Sequence, residues 1–362
     1  MGIYIGLVVI VLSTTGLIDY LLKNRTNNIL KIRKIEVILA SVALGILMGF
    51  RGKSVGTDTL GIMRLYVNSR AGFEMFLKQA PIYAIYSKAL FFFFPQAQAI
   101  IILNAIIIVT CYGYVIYKES TDIKTSWYIY ITLGLYLFAF NATRQCVAMA
   151  IVLVAYSMLK SQRIKTSIVF FLIAVGVHQI SIVAILFYIV MLIKPDLKKT
   201  IIFSVIIALI EGAYKSITLL FIRFFPAYVG YLRVDNLTKN DGKTYSFYMA
   251  LLLILIIVFD CIYLEKNKSY IDDKGKKDAY QKIAIICVYI VTAFVLRNMN
   301  YPARLSLYFS QVAILYLPEF FIRQSKNGSA NGKILKVMIC GVLMIPYFKN
   351  MQAYIPYIPF WK

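Results

Sequence analysis

Apolar runs approaching 20 residues recur along the whole chain, and this feature limits the fold more than any other. A helix of about 20 apolar residues crosses the hydrocarbon core of a bilayer, which is about 30 Å thick. Hydrophobic residues make up 60% of the 362 residues, more than a soluble domain of this size can bury. The sequence therefore predicts an all-α, polytopic membrane protein, because helices satisfy their own backbone hydrogen bonds in lipid.

The distribution of charge supports a membrane protein and argues against nucleic acid as a partner. The formal net charge is +23, but the basic residues lie mostly in short loops between apolar runs. This is the positive-inside pattern of a plasma-membrane protein. The first apolar run starts at Met1 without a basic leader or a small-residue cleavage site, so we interpret it as a membrane helix and not a signal peptide.

The basic loops also predict a topology for a single polytopic membrane domain over residues 1–362. Four loops are expected in the cytoplasm, at about 23–34, 160–166, 194–200 and 265–282. External loops are then expected at about 51–80 and 223–245, with both termini outside. The count is about 12 transmembrane helices. The weaker run 81–94 is left without a crossing, and we predict a re-entrant or interfacial segment there.

Two segments must cross twice, because both of their ends are predicted to lie inside. Residues 126–159 would turn at "NATR" (141–144), and residues 167–193 would turn near the single histidine, His178. Short paired helices would place these turns below the outer surface, where polar groups are tolerated if they line a cavity. The alternative is one tilted helix over 167–193, which would invert every later loop.

Polar residues that this topology places on the outer side are the candidates for function. A charge near the bilayer centre costs several kcal/mol and is by default a functional hypothesis. Each residue also has a structural alternative: an arginine can snorkel at a helix end, Asp58 can cap a helix, and His178 can be a buried, hydrogen-bonded histidine. Glu211 and Lys215, at i and i+4, are expected to pair with each other. The candidates are Arg51, Asp58, Arg64, Arg70, Arg144, His178, Arg297 and Arg304.

The set of candidates points to an anionic ligand. Arginine binds phosphate oxygens with a planar fork and stays charged. The sequence has no phosphate-binding loop for nucleotides and no HExxH, and its five dispersed cysteines and one histidine make a metal site improbable. The activated donors abundant outside a membrane are lipid-linked diphosphates. The chemistry therefore predicts a site without metal or cofactor.

Four stretches, in order, resemble the EpsG family of Wzy-type polysaccharide polymerases. They are "FRGKSVGTDT" (50–59) with Tyr66, "FNATRQCVAMAIVL" (140–153), "LIAVGVHQISIVAIL" (172–186) and "RLSLYF" (304–309). The C-terminal "IPYIPF" (355–360) also fits. Residues 81–94 depart from the family pattern, since Pro81 stands where an acidic residue would be expected nearby.

The resemblance implies a glycosyltransferase in the bacterial plasma membrane, with its active site facing outside. It would join oligosaccharide repeat units carried on undecaprenyl diphosphate, with a chain-length regulator and a flippase as candidate partners. Arg144 and Arg304, assisted by Arg51, would stabilise the departing diphosphate. His178 is the favoured base and Asp58 the other candidate. The alternatives are an O-antigen ligase, a non-enzymatic flippase and, third, a membrane acyltransferase.

Overall fold

The computed structural model describes residues 2–23, 28–213, 243–267, 272–295, 304–325, 331–351 and 354–361. Throughout these residues the secondary structure is helical, apart from one isolated bridge between Arg51 and Pro359. Five helices in these residues are long and apolar enough to cross a membrane, or six if a bent pair at 304–325 forms one span. The prediction of a helical membrane protein is confirmed, but the count of about 12 crossings is not.

The helices differ widely in length, from 4 to 24 residues. In chain order, the helices up to residue 177 are α1 (Gly2–Lys23), α2 (Ile29–Gly49), α3 (Thr59–Val67), α4 (Ser69–Gln79), α5 (Pro81–Phe93), α6 (Gln98–Glu119), α7 (Ile123–Thr132), α8 (Leu135–Asn141), α9 (Thr143–Lys160) and α10 (Ile164–Val177). A 3₁₀ helix (Gln179–Ala184), α11 (Ile185–Ile193), α12 (Leu197–Gly212), α13 (Lys243–Lys266), α14 (Asp273–Val295), a 3₁₀ turn (Arg304–Ser306), α15 (Leu307–Ser310), α16 (Ala313–Ser325) and α17 (Asn331–Met351) follow.

The chain divides into two compact units, Met1–Ile182 with Leu317–Lys362, and Val183–Tyr316. In the first unit, α9 is the most buried of the candidate spans and packs between α6 and α10. An aromatic row fills the interior beside it: the ring centroids of Tyr112 and Tyr130 lie 4.3 Å apart, and those of Tyr136 and Phe140 lie 5.4 Å apart. This row ends at Phe140, directly before the "NATR" turn.

The first unit has two chemically different ends, joined by α6 and α9. At one end, Arg33 donates to the carbonyls of Tyr117 and Ser120, and Lys160 pairs with Glu119. We call this the basic end, because the predicted cytoplasmic loops 23–34 and 160–166 lie there. At the other end, Gln98 at the start of α6 donates to the carbonyl of Arg51. We call this the motif end. The 22 residues of α6 separate the two ends by about 33 Å.

The chain reverses at "NATR", as predicted for residues 126–159, while two crossings by this segment stay a prediction. The helical segments α7 and α8 run from the basic end to the motif end, and Gly134 joins them with a positive φ of 73°. Ala142 then interrupts the helix inside "NATR", and α9 returns to the basic end at Lys160. Residues 167–193 do not form one uninterrupted helix either, because α10 ends at Val177 and His178 is extended.

The weak apolar run 81–94 forms α5, a helix of 13 residues, and is not among the candidate spans. Its length is about 20 Å, which is short of the hydrocarbon thickness. Phe92, Phe93 and Phe94 at its end are exposed, as expected of aromatic side chains at a membrane interface. The prediction that this segment does not cross the membrane agrees with its length.

In the second unit, α12 and α13 both pack against α14. The predicted basic loops 194–200 and 265–282 lie beside one cleft, which is lined by Asp196, Lys198, Glu265 and Lys276 among others, so both loops occupy the same end of this unit. The predicted external loop 223–245 and Lys215 fall outside the described residues, apart from the start of α13. Glu211, expected to pair with Lys215, accepts a hydrogen bond of 2.5 Å from Thr292.

Candidate functional site

The loop that links α2 to α3 is built around the buried side chain of Arg51. The guanidinium donates to the Met48 carbonyl at 2.6 Å, to Thr59 Oγ1 at 3.2 Å and to Thr143 Oγ1 at 2.9 Å. Its Cζ lies 4.9 Å from the centroid of the Phe140 ring. Every nitrogen of the side chain is thus engaged within the protein, and the residue is fully buried. Arg51 fastens the loop to the "NATR" turn and does not present its guanidinium to a ligand in this conformation.

Glycines allow the same loop to approach its neighbours closely. Gly56 has φ +90°, and a Cβ added there would collide with the carbonyl oxygen of Phe140. On the other side, the Gly52 amide donates to the Ile358 carbonyl at 2.7 Å, and the Phe360 amide donates to the Phe50 carbonyl at 3.0 Å. The C-terminal "IPYIPF" stretch therefore pairs with the loop through the backbone.

Arg144 lies in the first turn of α9, directly after Thr143. Its Cζ is 4.8 Å from the Phe76 ring centroid and 5.9 Å from that of Tyr83, so the guanidinium is held by aromatic rings of α4 and α5. Its buried Nη1 has no hydrogen-bond partner among the described residues. The positive end of the α9 dipole also disfavours a cation at this position. Both observations favour an anion as the missing partner.

The segment that carries His178 reaches the same corner between α4 and α5. Gln179 Nε2 donates to the Lys78 carbonyl at 3.1 Å, and Gly176 packs against Ile82. The His178 side chain is half-buried. The extended backbone at His178 ends α10 and starts the 3₁₀ helix, whose Ser181 amide donates to the His178 carbonyl. The structure thus brings the stretches around Arg144 and His178 onto the same α4–α5 corner.

Asp58 is exposed immediately before α3. Its side chain makes no capping hydrogen bond to that helix and instead accepts from Thr57 Oγ1 at 3.2 Å. Capping therefore does not account for this carboxylate. The neighbouring Thr57 amide donates to Asn141 Oδ1 at 2.9 Å, which ties the loop to the "NATR" turn a second time.

The other predicted arginines lie on α3, in the second unit or outside the described residues. Arg304 begins a 3₁₀ turn in the second unit, and this turn packs against α14. Arg64 is exposed on α3. The side chain of Arg70 and the whole of Arg297 lie outside the described residues. The assignment of Arg304 to the diphosphate stays a prediction.

The sequence interpretation missed the aromatic corner itself. Phe76 and Tyr83 pack edge to face at 5.0 Å, and Tyr83 receives a hydrogen bond from Asn104 of α6. Both aromatic residues, with Ser87 and Lys88, line a narrow cleft among α3, α4 and α5. The sequence feature that could have indicated this corner is "PIYAIYSK". In it, Tyr83 and Tyr86 are three residues apart, as on one helix face, and Lys88 follows in a run too short to span a membrane.

Among the residues that the structure describes, no three His, Cys, Asp or Glu side chains form a group able to hold a metal ion. The chemistry available at the motif end is that of a guanidinium, an imidazole and a carboxylate on a helical membrane scaffold. These features define a polytopic helical membrane protein with charged side chains gathered at one end.

The comparison with protein families identifies the chain more closely. The model of the EpsG family matches residues 34–359, a range that includes all of the motif stretches. The chain belongs to the EpsG family, which is a family of membrane proteins associated with polysaccharide polymerisation. No curated protein and no solved structure matches the chain.

Proposed function

We propose that this protein is a membrane glycosyltransferase that polymerises oligosaccharide repeat units carried on undecaprenyl diphosphate. The single observation that carries the proposal is Arg144. Its guanidinium contacts two aromatic rings at a helix N-terminus and has a buried nitrogen without a hydrogen-bond partner among the described residues. A diphosphate would supply the oxygens and the negative charge that this position lacks.

In the proposed reaction, a hydroxyl at the non-reducing end of one lipid-linked glycan attacks the anomeric carbon of another. The new glycosidic bond forms as the bond between the anomeric carbon and the phosphate oxygen breaks. The lipid diphosphate leaves with the bonding electrons, and Arg144 stabilises its developing charge. Arg304 stays a proposed second ligand of the diphosphate, and Arg51 positions the loop through Thr143.

A base must remove the proton of the attacking hydroxyl. His178 is the proposed base, because an imidazole titrates near neutral pH and its segment lies on the same α4–α5 corner as Arg144. Asp58 is the second candidate, since its exposed carboxylate has no capping role. The leaving group carries its charge away on the diphosphate, so the reaction needs neither metal nor cofactor.

The motif end is proposed to face the outside of the plasma membrane. The support for this orientation is the position of the loops rich in lysine and arginine, which lie at the opposite end of the first unit. Lipid-linked repeat units displayed outside would enter from the bilayer beside the exposed phenylalanines at the end of α5. A flippase that delivers these units and a chain-length regulator are the proposed partners.

The test uses a strain that lacks the gene and is complemented with variants. Arg144→Ala should abolish long polymer and leave single repeat units on the lipid carrier. Arg144→Lys keeps the charge but loses the planar fork, so it should also impair polymerisation. The matched control is Arg163→Ala, an exposed arginine just beyond the other end of α9, which should make normal polymer.

Three outcomes would contradict the proposal or part of it. Normal long-chain polymer from Arg144→Ala, at the protein level of the unsubstituted protein, would remove Arg144 from the site. Long polymer that stays on the lipid carrier in the null strain would identify a ligase, because polymerisation would then proceed without this protein. Repeat units trapped on the cytoplasmic side would identify a flippase.

A further inference from the structure

A second cation, Lys88, lies at the same corner, and no described carboxylate pairs with it. Lys88 is exposed on α5, and its Nζ lies 4.2 Å from the centroid of the Phe73 ring. Phe73, Phe76 and Tyr83 line one cleft together with Lys88. Arg144 contacts the rings of two of these residues, so two cations flank the same aromatic wall.

The cleft also contains a hydroxyl that is poorly satisfied. Ser87 Oγ is buried beside the Tyr83 hydroxyl and completes no hydrogen bond of normal geometry among the described residues. A buried hydroxyl without a partner costs free energy, so its retention needs an explanation. The enclosed space is about 10 Å³, which is room for about one water-sized group. One phosphate oxygen fits such a space, whereas a sugar ring does not.

We propose that Lys88, with the Ser87 hydroxyl, forms a second phosphate-binding subsite beside Arg144, so that the corner holds both phosphates of a lipid-linked diphosphate. This inference rests on the proposed function and names two further binding residues for it. Arg144 binds with its planar fork, while Lys88 contributes a point charge at the mouth of the cleft. Two separated cations explain a preference for a diphosphate over a monophosphate.

The experiment measures binding of undecaprenyl diphosphate and undecaprenyl monophosphate to the purified full-length protein in phosphatidylcholine vesicles. Lys88→Ala should weaken binding of the diphosphate about tenfold, as expected for a lost charge-assisted hydrogen bond. Binding of the monophosphate should change little. The matched control is Lys78→Ala, an exposed lysine on α4 that does not line the cleft and should bind both lipids normally.

Ser87→Ala provides a readout that a purely structural role would not produce. Removing an unsatisfied buried hydroxyl should raise the melting temperature of the unliganded protein. The same variant should bind the diphosphate a few-fold more weakly, because the phosphate oxygen loses its partner. A lower melting temperature with unchanged affinity would make Ser87 a structural residue and overturn its place in the subsite.

The remaining outcomes separate the subsite from the function on which it rests. Equal diphosphate affinity in Lys88→Ala and the unsubstituted protein would overturn the subsite alone. No diphosphate binding by the unsubstituted protein would overturn the proposed function and the subsite together. If phosphatidylglycerol in the vesicles abolished the difference between Lys88→Ala and the unsubstituted protein, the cleft would bind bulk anionic lipid and the diphosphate assignment would fall.

Discussion

The two ends of α9 each carry a cationic side chain, but the surroundings of the two cations differ. Lys160 ends the helix, where the dipole favours positive charge, and it pairs with Glu119 at 3.1 Å. Arg144 begins the helix, where the dipole disfavours positive charge, and among the described residues it contacts aromatic rings and no carboxylate. One end pairs its charge within the fold, and the other is the end at which we propose that a ligand binds.

The same contrast extends to the surroundings of each end. At the basic end, Lys336 donates to Asp122 at 2.7 Å and Arg33 donates to two carbonyls. Burial raises the pKa of the Asp122 carboxyl, but hydrogen bonds from Lys336 and Thr125 outweigh this effect and hold it below its usual value. At the motif end, the Lys88 ammonium lies over the Phe73 ring, with no ion-pair partner in the described part of the chain. Functional sites often retain such unsatisfied groups at the expense of stability.

The largest expected effect is a difference in thiol labelling between the two ends, which we predict to lie on opposite sides of the membrane. Lys53→Cys, exposed in the loop at the motif end, should react with a membrane-impermeant thiol reagent in intact cells. Gln162→Cys, exposed at the basic end, should react only after the membrane is opened. Both signals are measured above that of the unsubstituted protein with its five cysteines. Labelling of position 162 from outside would reverse the orientation.

The next prediction concerns the base at the motif end. Loss of a general base lowers a rate by about 10²–10⁴. His178→Ala should therefore abolish polymer while the protein still accumulates in the membrane, and Asp58→Asn should keep most activity. An active His178→Ala variant beside an inactive Asp58→Asn variant would transfer the role to Asp58. Activity in both would leave catalysis to the arginines and to substrate positioning.

A smaller effect should follow from the glycine that lets the motif loop close. Gly56→Ala forces an alanine into a left-handed conformation, at a cost of about 1–2 kcal/mol, and displaces the Phe140 carbonyl. The melting temperature and polymer length should both fall. Gly61→Ala is the matched control, because open space surrounds this exposed glycine of α3. It should raise helix stability by up to about 1 kcal/mol and leave polymer unchanged. Equal effects of the two substitutions would refute the tight packing of the loop.

The smallest expected effect on stability comes from replacing each of the two cations of α9 in turn. Lys160→Met removes the cation paired with Glu119, which keeps only its hydrogen bond from Ser157 among the described contacts, and should lower stability by about 1 kcal/mol, with normal polymer. Arg144→Met removes a cation that has no carboxylate, so stability should stay the same or rise while polymer is lost. The measurement is the melting temperature of each purified variant beside its polymer profile. The reverse pattern would show that Arg144 is structural and Lys160 functional.

The stability of the basic end should also depend on pH, because Asp122 titrates there. Its pKa is lower in the folded protein than in the unfolded chain, so its contribution to stability is present above the unfolded pKa, at about 4. That contribution should be lost as the pH falls further through the folded pKa. Lys336→Met should reduce this loss, because the hydrogen bond that depresses the pKa is gone. If Lys336→Met left the loss of stability at low pH unchanged, the pair of Lys336 and Asp122 would not stabilise the basic end.

Parts of this contrast were predictable from the sequence. Loop charges alone predicted the hairpin at "NATR" and a short segment at 81–94, because the positive-inside pattern limits the number of crossings. Local patterns did not reveal that Arg51 is buried, since its partner Thr143 lies 92 positions away. The aromatic corner was missed for the same reason: Phe76, Tyr83 and Arg144 come together only through tertiary packing. The count of about 12 crossings is not confirmed, since several helices are shorter than one span.

The central claim is that the motif end joins lipid-linked repeat units by displacing a lipid diphosphate at Arg144. The most direct measurement incubates the purified protein in vesicles with lipid-linked repeat units extracted from the null strain. The account predicts a ladder of polymer, one molecule of undecaprenyl diphosphate released for each new linkage, and neither product with Arg144→Ala. Unchanged single units with the unsubstituted protein, or an equal ladder with Arg144→Ala, would contradict it.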